Sequence, residues 1–118
     1  MDDRSAARLQ AAYFVSTGVF PFISRRGFEA ITGPKREWWL VQTVGLLVTA
    51  IGAGLWRAAE RDEVTDDVAL IAAGAAASLA AVDVVYVARR RIRATYLLDA
   101  AVELAILEGW RRARWPRS

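Results

Sequence analysis

The chain has 118 residues, a formal charge of +3, no cysteine and no histidine, and hydrophobic side chains at 55% of its positions beside 25% charged ones. This excludes disulfides, thiol chemistry, histidine-dependent nucleophiles and the usual zinc and haem ligand sets, so neither a metal site nor a cofactor is expected. The charges are bunched between apolar runs too long for a 13.0 kDa soluble domain to cover, which makes lipid their expected solvent.

In chain order, Met1-Asp2-Asp3-Arg4 opens without the short apolar core and small-residue cleavage site of a leader, so no removable signal peptide is expected. A first apolar span covers about 9–24 and contains Gly18 and Pro21. After it, Phe22, Ile23, Phe28 and Ile31 alternate with Arg25, Arg26 and Glu29, the pattern of a short segment lying in the membrane interface or of a plain loop. Thr32-Gly33-Pro34 reads as a turn with Pro34 as the first residue of the second helix. That second span, about 38–56, holds about 19 residues without a charge, close to what crosses a hydrocarbon core of roughly 30 Å. Gly45, Thr49 and Ala53 recur in it at intervals that let another helix come close.

Thr65-Asp66-Asp67 supplies an N-cap and negative charge for a third span, about 68–88, broken only by Asp83 and carrying the small residues Gly74 and Ser78. Arg89, Arg90, Arg91 and Arg93 follow, and a fourth span, about 94–110, contains Asp99, Glu103 and Glu108. Arg111, Arg112, Arg114 and Arg117 close the chain. All five tryptophans, Trp38, Trp39, Trp56, Trp110 and Trp115, fall near predicted helix ends, where indole rings favour the headgroup layer. The expected architecture is therefore all-α, one domain over 1–118, a bundle of four transmembrane helices in the cell (inner) membrane.

Basic residues flank the spans without a stripe of stacking aromatics, which points to anionic lipid and not to nucleic acid. Arg89, Arg90, Arg91 and Arg93 are read as a topology anchor or a lipid-phosphate contact. Lys and Arg divide evenly, eight on the side of the termini and second connection and eight on the side of the first and third connections. The acidic second connection and the dense arginines of the third favour placing the first and third connections in the cytoplasm.

Acids inside such spans carry the most information, because an ionised side chain at the bilayer centre costs about 2.5–3.5 kcal/mol on insertion scales and should face the bundle interior. Asp99 and Glu103 stand at i and i+4, with Tyr96 three residues before Asp99, and Asp83 and Tyr86 share a face of the preceding helix. A short link makes those two helices antiparallel neighbours, so Asp83, Tyr86, Tyr96, Asp99 and Glu103 form a candidate polar cluster at one depth. It can bind a proton, a cation or a cationic substrate; alternatively Asp83 and Asp99 pair with Arg89, Arg90 or Arg93 and hold the hairpin together. Gln42, Thr43, Thr17 and Tyr13 add polar groups best read as interhelical hydrogen bonds.

The run Tyr13-Phe14-Val15-Ser16-Thr17-Gly18-Val19-Phe20-Pro21, the stretches Phe28–Lys35 and Trp39–Gly45, and the later Asp83-Val84-Val85-Tyr86 and Tyr96–Glu103 resemble a group of small, uncharacterised bacterial integral membrane proteins with four helices. The resemblance implies a fold and a membrane location and lends no catalytic residue. Small multidrug transporters are similar in size and helix count, but their essential glutamate lies in the first helix, and here that span carries no acid between Leu9 and Ser24. The expectations are transport of a proton, cation or small substrate by the intramembrane acids, or an accessory subunit of a larger membrane complex. An enzyme acting on a lipid or isoprenoid ranks below both. Beyond the lipid bilayer, self-association or a larger membrane protein is the expected partner.

Overall fold

The computed structural model describes residues 2–115, which form five α-helices and no strand: α1 (Asp3–Ile23), α2 (Arg25–Thr32), α3 (Trp38–Glu60), α4 (Asp66–Ala88) and α5 (Tyr96–Arg114). Met1 and Arg117 lie outside the described residues. Local chemistry sets the boundaries. Asp2 Oδ1 accepts the Ser5 N–H at 2.8 Å, and this bond holds its carboxyl below the usual range. Ser24 ends α1 and starts α2, donating its own N–H to Phe20 O while its hydroxyl oxygen accepts from Gly27 N at 2.9 Å. Thr65 Oγ1 accepts the Val68 N–H at 3.2 Å and caps α4. The segment left open between interface helix and loop is thus helical.

Pro34, expected at the start of the second long helix, lies four residues before it. Glu29 explains the offset: its Oε2 accepts the Lys35 N–H at 2.7 Å, so the chain is held extended from Gly33 and helix begins only at Trp38. Gly33 has φ 96°, outside the reach of ordinary side chains, and the Arg93 side chain packs against it.

Both α3 and α4 end in a Schellman motif. Glu63 N–H reaches Ala58 O at 2.8 Å and Asp62 N–H reaches Ala59 O at 3.2 Å; Arg91 N–H reaches Tyr86 O at 2.9 Å and Arg90 N–H reaches Val87 O at 3.0 Å. Asp62 (φ 52°) and Arg90 (φ 57°) occupy the left-handed position that glycine usually fills. Replacing either with glycine is expected to raise stability by about 0.5–1 kcal/mol, the relief of left-handed strain less the greater flexibility of the unfolded chain. Thermal unfolding in detergent measures this, and an unchanged or lower midpoint for Arg90→Gly would contradict it.

The four long helices run alternately up and down, with α1 packed closely on α3, α4 on α5, and looser contacts between the two pairs. Small residues set the α1–α3 distance. Gly18 and Gly45 face each other so tightly that a Cβ on Gly45 would lie 2.6 Å from Gly18 O, and one on Gly52 would lie 2.9 Å from Val15 Cγ2. The close-approach stripe of α3 is therefore Gly45, Thr49 and Gly52; Ala53 is exposed, and Gly74 of α4 faces open space.

Near the chain termini, alanines of α1, α3 and α4 surround Trp110, which is fully buried. Trp110 Nε1 donates to Gln10 Oε1 at 2.7 Å, and Gln10 Nε2 donates to Ala72 O at 2.8 Å. This corrects the headgroup-layer reading of Trp110: a polar partner on α1 lets the indole serve as the core of this layer. Trp39, Trp56 and Trp115 are exposed.

Two of the helices, α3 and α4, are long and apolar enough to cross a membrane. Each has 23 residues, about 34 Å at 1.5 Å per residue. Their outer faces are uncovered: Leu46 and Leu47 are each 61% exposed and Leu70 67%. The flanking helices are more polar than the expected four-span bundle calls for. α1 opens with Asp3, Arg4, Arg8 and Gln10, and α5 carries Asp99, Glu103 and Glu108 before its terminal arginines.

Candidate functional site

The buried stripe of α4 runs Ala69, Ala72, Ala76, Ala80, Asp83, at helical spacings of three and four, so the packing that buries the alanines also delivers Asp83 to the interior. On α5 the same logic buries Ala100 and Glu103, with Asp99 beside them. Glu103 is 1% exposed and Asp83 5%. Both carboxyl groups lie near Asp99, close enough for the charges of the three to act on one another. Asp99 Oδ1 also accepts the Tyr13 hydroxyl of α1 at 2.5 Å.

Among the described residues, no ion pair engages any of the three acids. One oxygen each of Asp83 and Glu103 is buried without a hydrogen-bond partner. The arginines expected as partners point elsewhere: Arg93 Nη1 donates to Ala30 O at 3.3 Å, the Arg89 guanidinium lies 6.0 Å from the Tyr86 ring centroid, and Arg90 is exposed without an ion pair among the described residues. Although three carboxyls converge, no group of acids among the described residues is disposed to hold a metal ion.

A cavity of about 300 Å³ adjoins the cluster, walled by Gly18, Gly45, Val48 and Leu79, with Tyr96, Asp99 and Glu103 as its polar side. A second, of about 240 Å³, runs from Thr32 and Thr95 past Phe28 and Tyr96 to Tyr13 and Asp99. Asp99 lines both, and the second extends from it toward the α2 end of the bundle. Toward the termini, Phe14 and the Gln10–Trp110 layer are fully buried and close the interior.

Of the sequence-predicted residues, Asp83, Asp99 and Glu103 meet, and Tyr96 is half-buried on the cavity wall with the Lys35 ammonium 5.1 Å from its ring centroid. Tyr86 does not join them. It is exposed, because Asp83 already lies toward one edge of the buried stripe and a further three residues fall about 60° short of a full turn, beyond that edge. Tyr13 takes its place as the cluster's hydroxyl. Its signal lay in the spacing of Gln10, Tyr13 and Thr17, a polar stripe on one face of α1.

No protein family, curated protein or solved structure matches the chain. The resemblance to small four-helix membrane proteins therefore rests on the quoted segments alone.

Proposed function

We propose that the chain is a multi-pass membrane protein, with α1, α3, α4 and α5 crossing the cell membrane and α2 lying in the interface, and that it carries protons across through Asp83, Asp99 and Glu103 to move a small substrate. The supporting observation is the meeting of three carboxyl groups from two helices, beside a cavity, without a basic partner. Carboxyl groups change charge by taking up or giving up a proton, and acids grouped in an apolar interior are the side chains best suited to carry one. Such a group takes up a proton from one side and passes it on when the packing around it changes.

The membrane reading draws on the bare outer faces of α3 and α4, which lipid covers without cost. Gln10 of α1 and Glu103 of α5 are buried and Asp99 is half-buried beside them, while Arg4, Arg8 and the arginines after Gly109 sit at one end, within reach of headgroups. An accessory subunit would have the same bare faces, but it gives no account of three acids grouped without a basic partner among the described residues.

The test is dissipation of a pH gradient in proteoliposomes containing a trapped pH dye, with valinomycin and potassium clamping the voltage. The unmodified chain is expected to collapse the gradient faster than protein-free vesicles. Asp99→Asn with Glu103→Gln should return the rate to the protein-free value. A flux unchanged in this pair, or no flux from the unmodified chain, would remove the proposal.

A further inference from the structure

The basic residues divide evenly between the two ends of the bundle, but the acids do not. At the end formed by the chain termini and the α3–α4 connection, most arginines are neutralised: Arg8 pairs with Glu60 at 3.1 Å, Arg111 and Arg112 with Glu108, and Arg114 with both Asp3 and Asp66. Glu63 and Asp67 add further negative charge there.

The α2 end differs. Arg25 is paired with Glu29, whose carboxyl is held below the usual range chiefly by its bond from the Lys35 N–H. Among the described residues, Arg26, Arg36, Arg89, Arg90 and Arg91 make no ion pair, and all five are exposed. Only Glu29 and Glu37 oppose the eight basic residues of this end. The tertiary structure joins the two basic connections into one surface: Thr95 Oγ1 donates to Ile31 O at 2.8 Å and Arg93 to Ala30 O, tying α2 to the α4–α5 turn. Beside the arginines, Ile23 is 76% exposed and Ile31 51%, apolar side chains placed where the acyl boundary begins.

We infer that the α2 end is a binding surface for anionic phospholipid headgroups of the cytoplasmic leaflet, with Arg26, Arg36, Arg89, Arg90 and Arg91 meeting the phosphates and Ile23 and Ile31 entering the acyl region. The chemistry is an unpaired guanidinium cluster against phosphate, in the leaflet that carries the negative surface potential. It rests on the membrane-spanning reading but not on proton transfer by the buried acids, so loss of either leaves the other standing.

The test uses the full chain reconstituted in phosphatidylcholine bilayers with trace spin-labelled phosphatidylglycerol or spin-labelled phosphatidylcholine, reading the immobilised fraction of each. The anionic lipid is expected to be preferred on the order of fivefold at low salt, and less as salt screens the surface. Replacing Arg89, Arg90 and Arg91 with Gln should bring the ratio towards one, while Arg111→Gln with Arg112→Gln should leave it unchanged. Equal immobilisation of the two lipids, or a preference that survives the first set of changes, overturns the inference. Competition by glycerol 3-phosphate at constant ionic strength would reassign the surface to soluble phosphate and also overturn it. Since the chain lacks cysteine, single cysteines at Pro34 and Glu63 report the leaflet: an impermeant maleimide should label Glu63→Cys in intact cells and Pro34→Cys only after permeabilisation, and the reverse pattern excludes the cytoplasmic assignment.

Discussion

Gly45→Val is expected to dismantle the pairing of α1 with α3, lowering stability by about 3 kcal/mol or more, the upper range for overpacking a tight contact. A single Cβ at this position would already lie 2.6 Å from Gly18 O, a backbone atom that cannot turn aside. The valine methyls would force the helices apart along the whole Gly45, Thr49, Gly52 stripe. On the proposed membrane reading this matters more than it would in water, since close packing and not exclusion of water holds apolar helices together in lipid. Gly74→Ala is the matched control: nothing lies within 4 Å of that position, so alanine there is expected to stabilise α4 by about 0.5–1 kcal/mol. Unfolding in a mixed detergent series measures both. Equal midpoints for the two variants would show that the α1–α3 contact does not hold the bundle.

Trp110→Ala should cost about 3–5 kcal/mol, because it opens a large hole in a layer built mostly of alanines and orphans the Gln10 side-chain oxygen. Gln10 Oε1 would lose its only donor among the described residues while Nε2 stayed bound to Ala72 O, leaving an unsatisfied acceptor in the fully buried interior. Trp110→Phe separates the two causes. It keeps most of the volume and removes only the indole N–H, so its expected cost is the smaller one of a buried acceptor left bare, about 1–3 kcal/mol. A Phe variant as stable as the unmodified chain would assign the whole effect to packing. Since this layer closes the interior on the side of the termini, Trp110→Ala should also raise proton leak in the vesicle assay.

The long helices were legible because charge and capping residues punctuate the apolar runs. Thr65-Asp66-Asp67 marks the start of α4, and the second and third apolar runs fall within α3 and α4. The start of α3 was misplaced at Pro34 because proline is well suited to open a helix, and nothing local announces that Glu29 will reach across to Lys35 N–H and keep the chain extended. Trp110 was misread for a related reason. Tryptophan near a helix end suits a headgroup layer, and its burial depends on Gln10, 100 residues away in sequence.

Of the cluster, the i and i+4 pair Asp99 and Glu103 was readable from helical periodicity, as was their antiparallel neighbour Asp83. Periodicity could not say whether these acids would meet one another or the nearby arginines, because a long flexible guanidinium reaches either way. The fold decided it by drawing Arg93 to α2 and leaving Arg89 over Tyr86. Tyr86 and Tyr13 exchanged places on similar grounds: each is a tyrosine near the right depth, and only the rotation of α4 and the position of α1 distinguish them.

Helicity, the course of the apolar helices and the acids set among their apolar residues were legible in the sequence alone, since spacing and composition act locally along one helix. Only the tertiary structure decided the distance between α1 and α3, the partners of each polar group and the gathering of unpaired arginines at one end. Those depend on which faces meet across many residues of chain, and packing fixes that only when all the helices are in place.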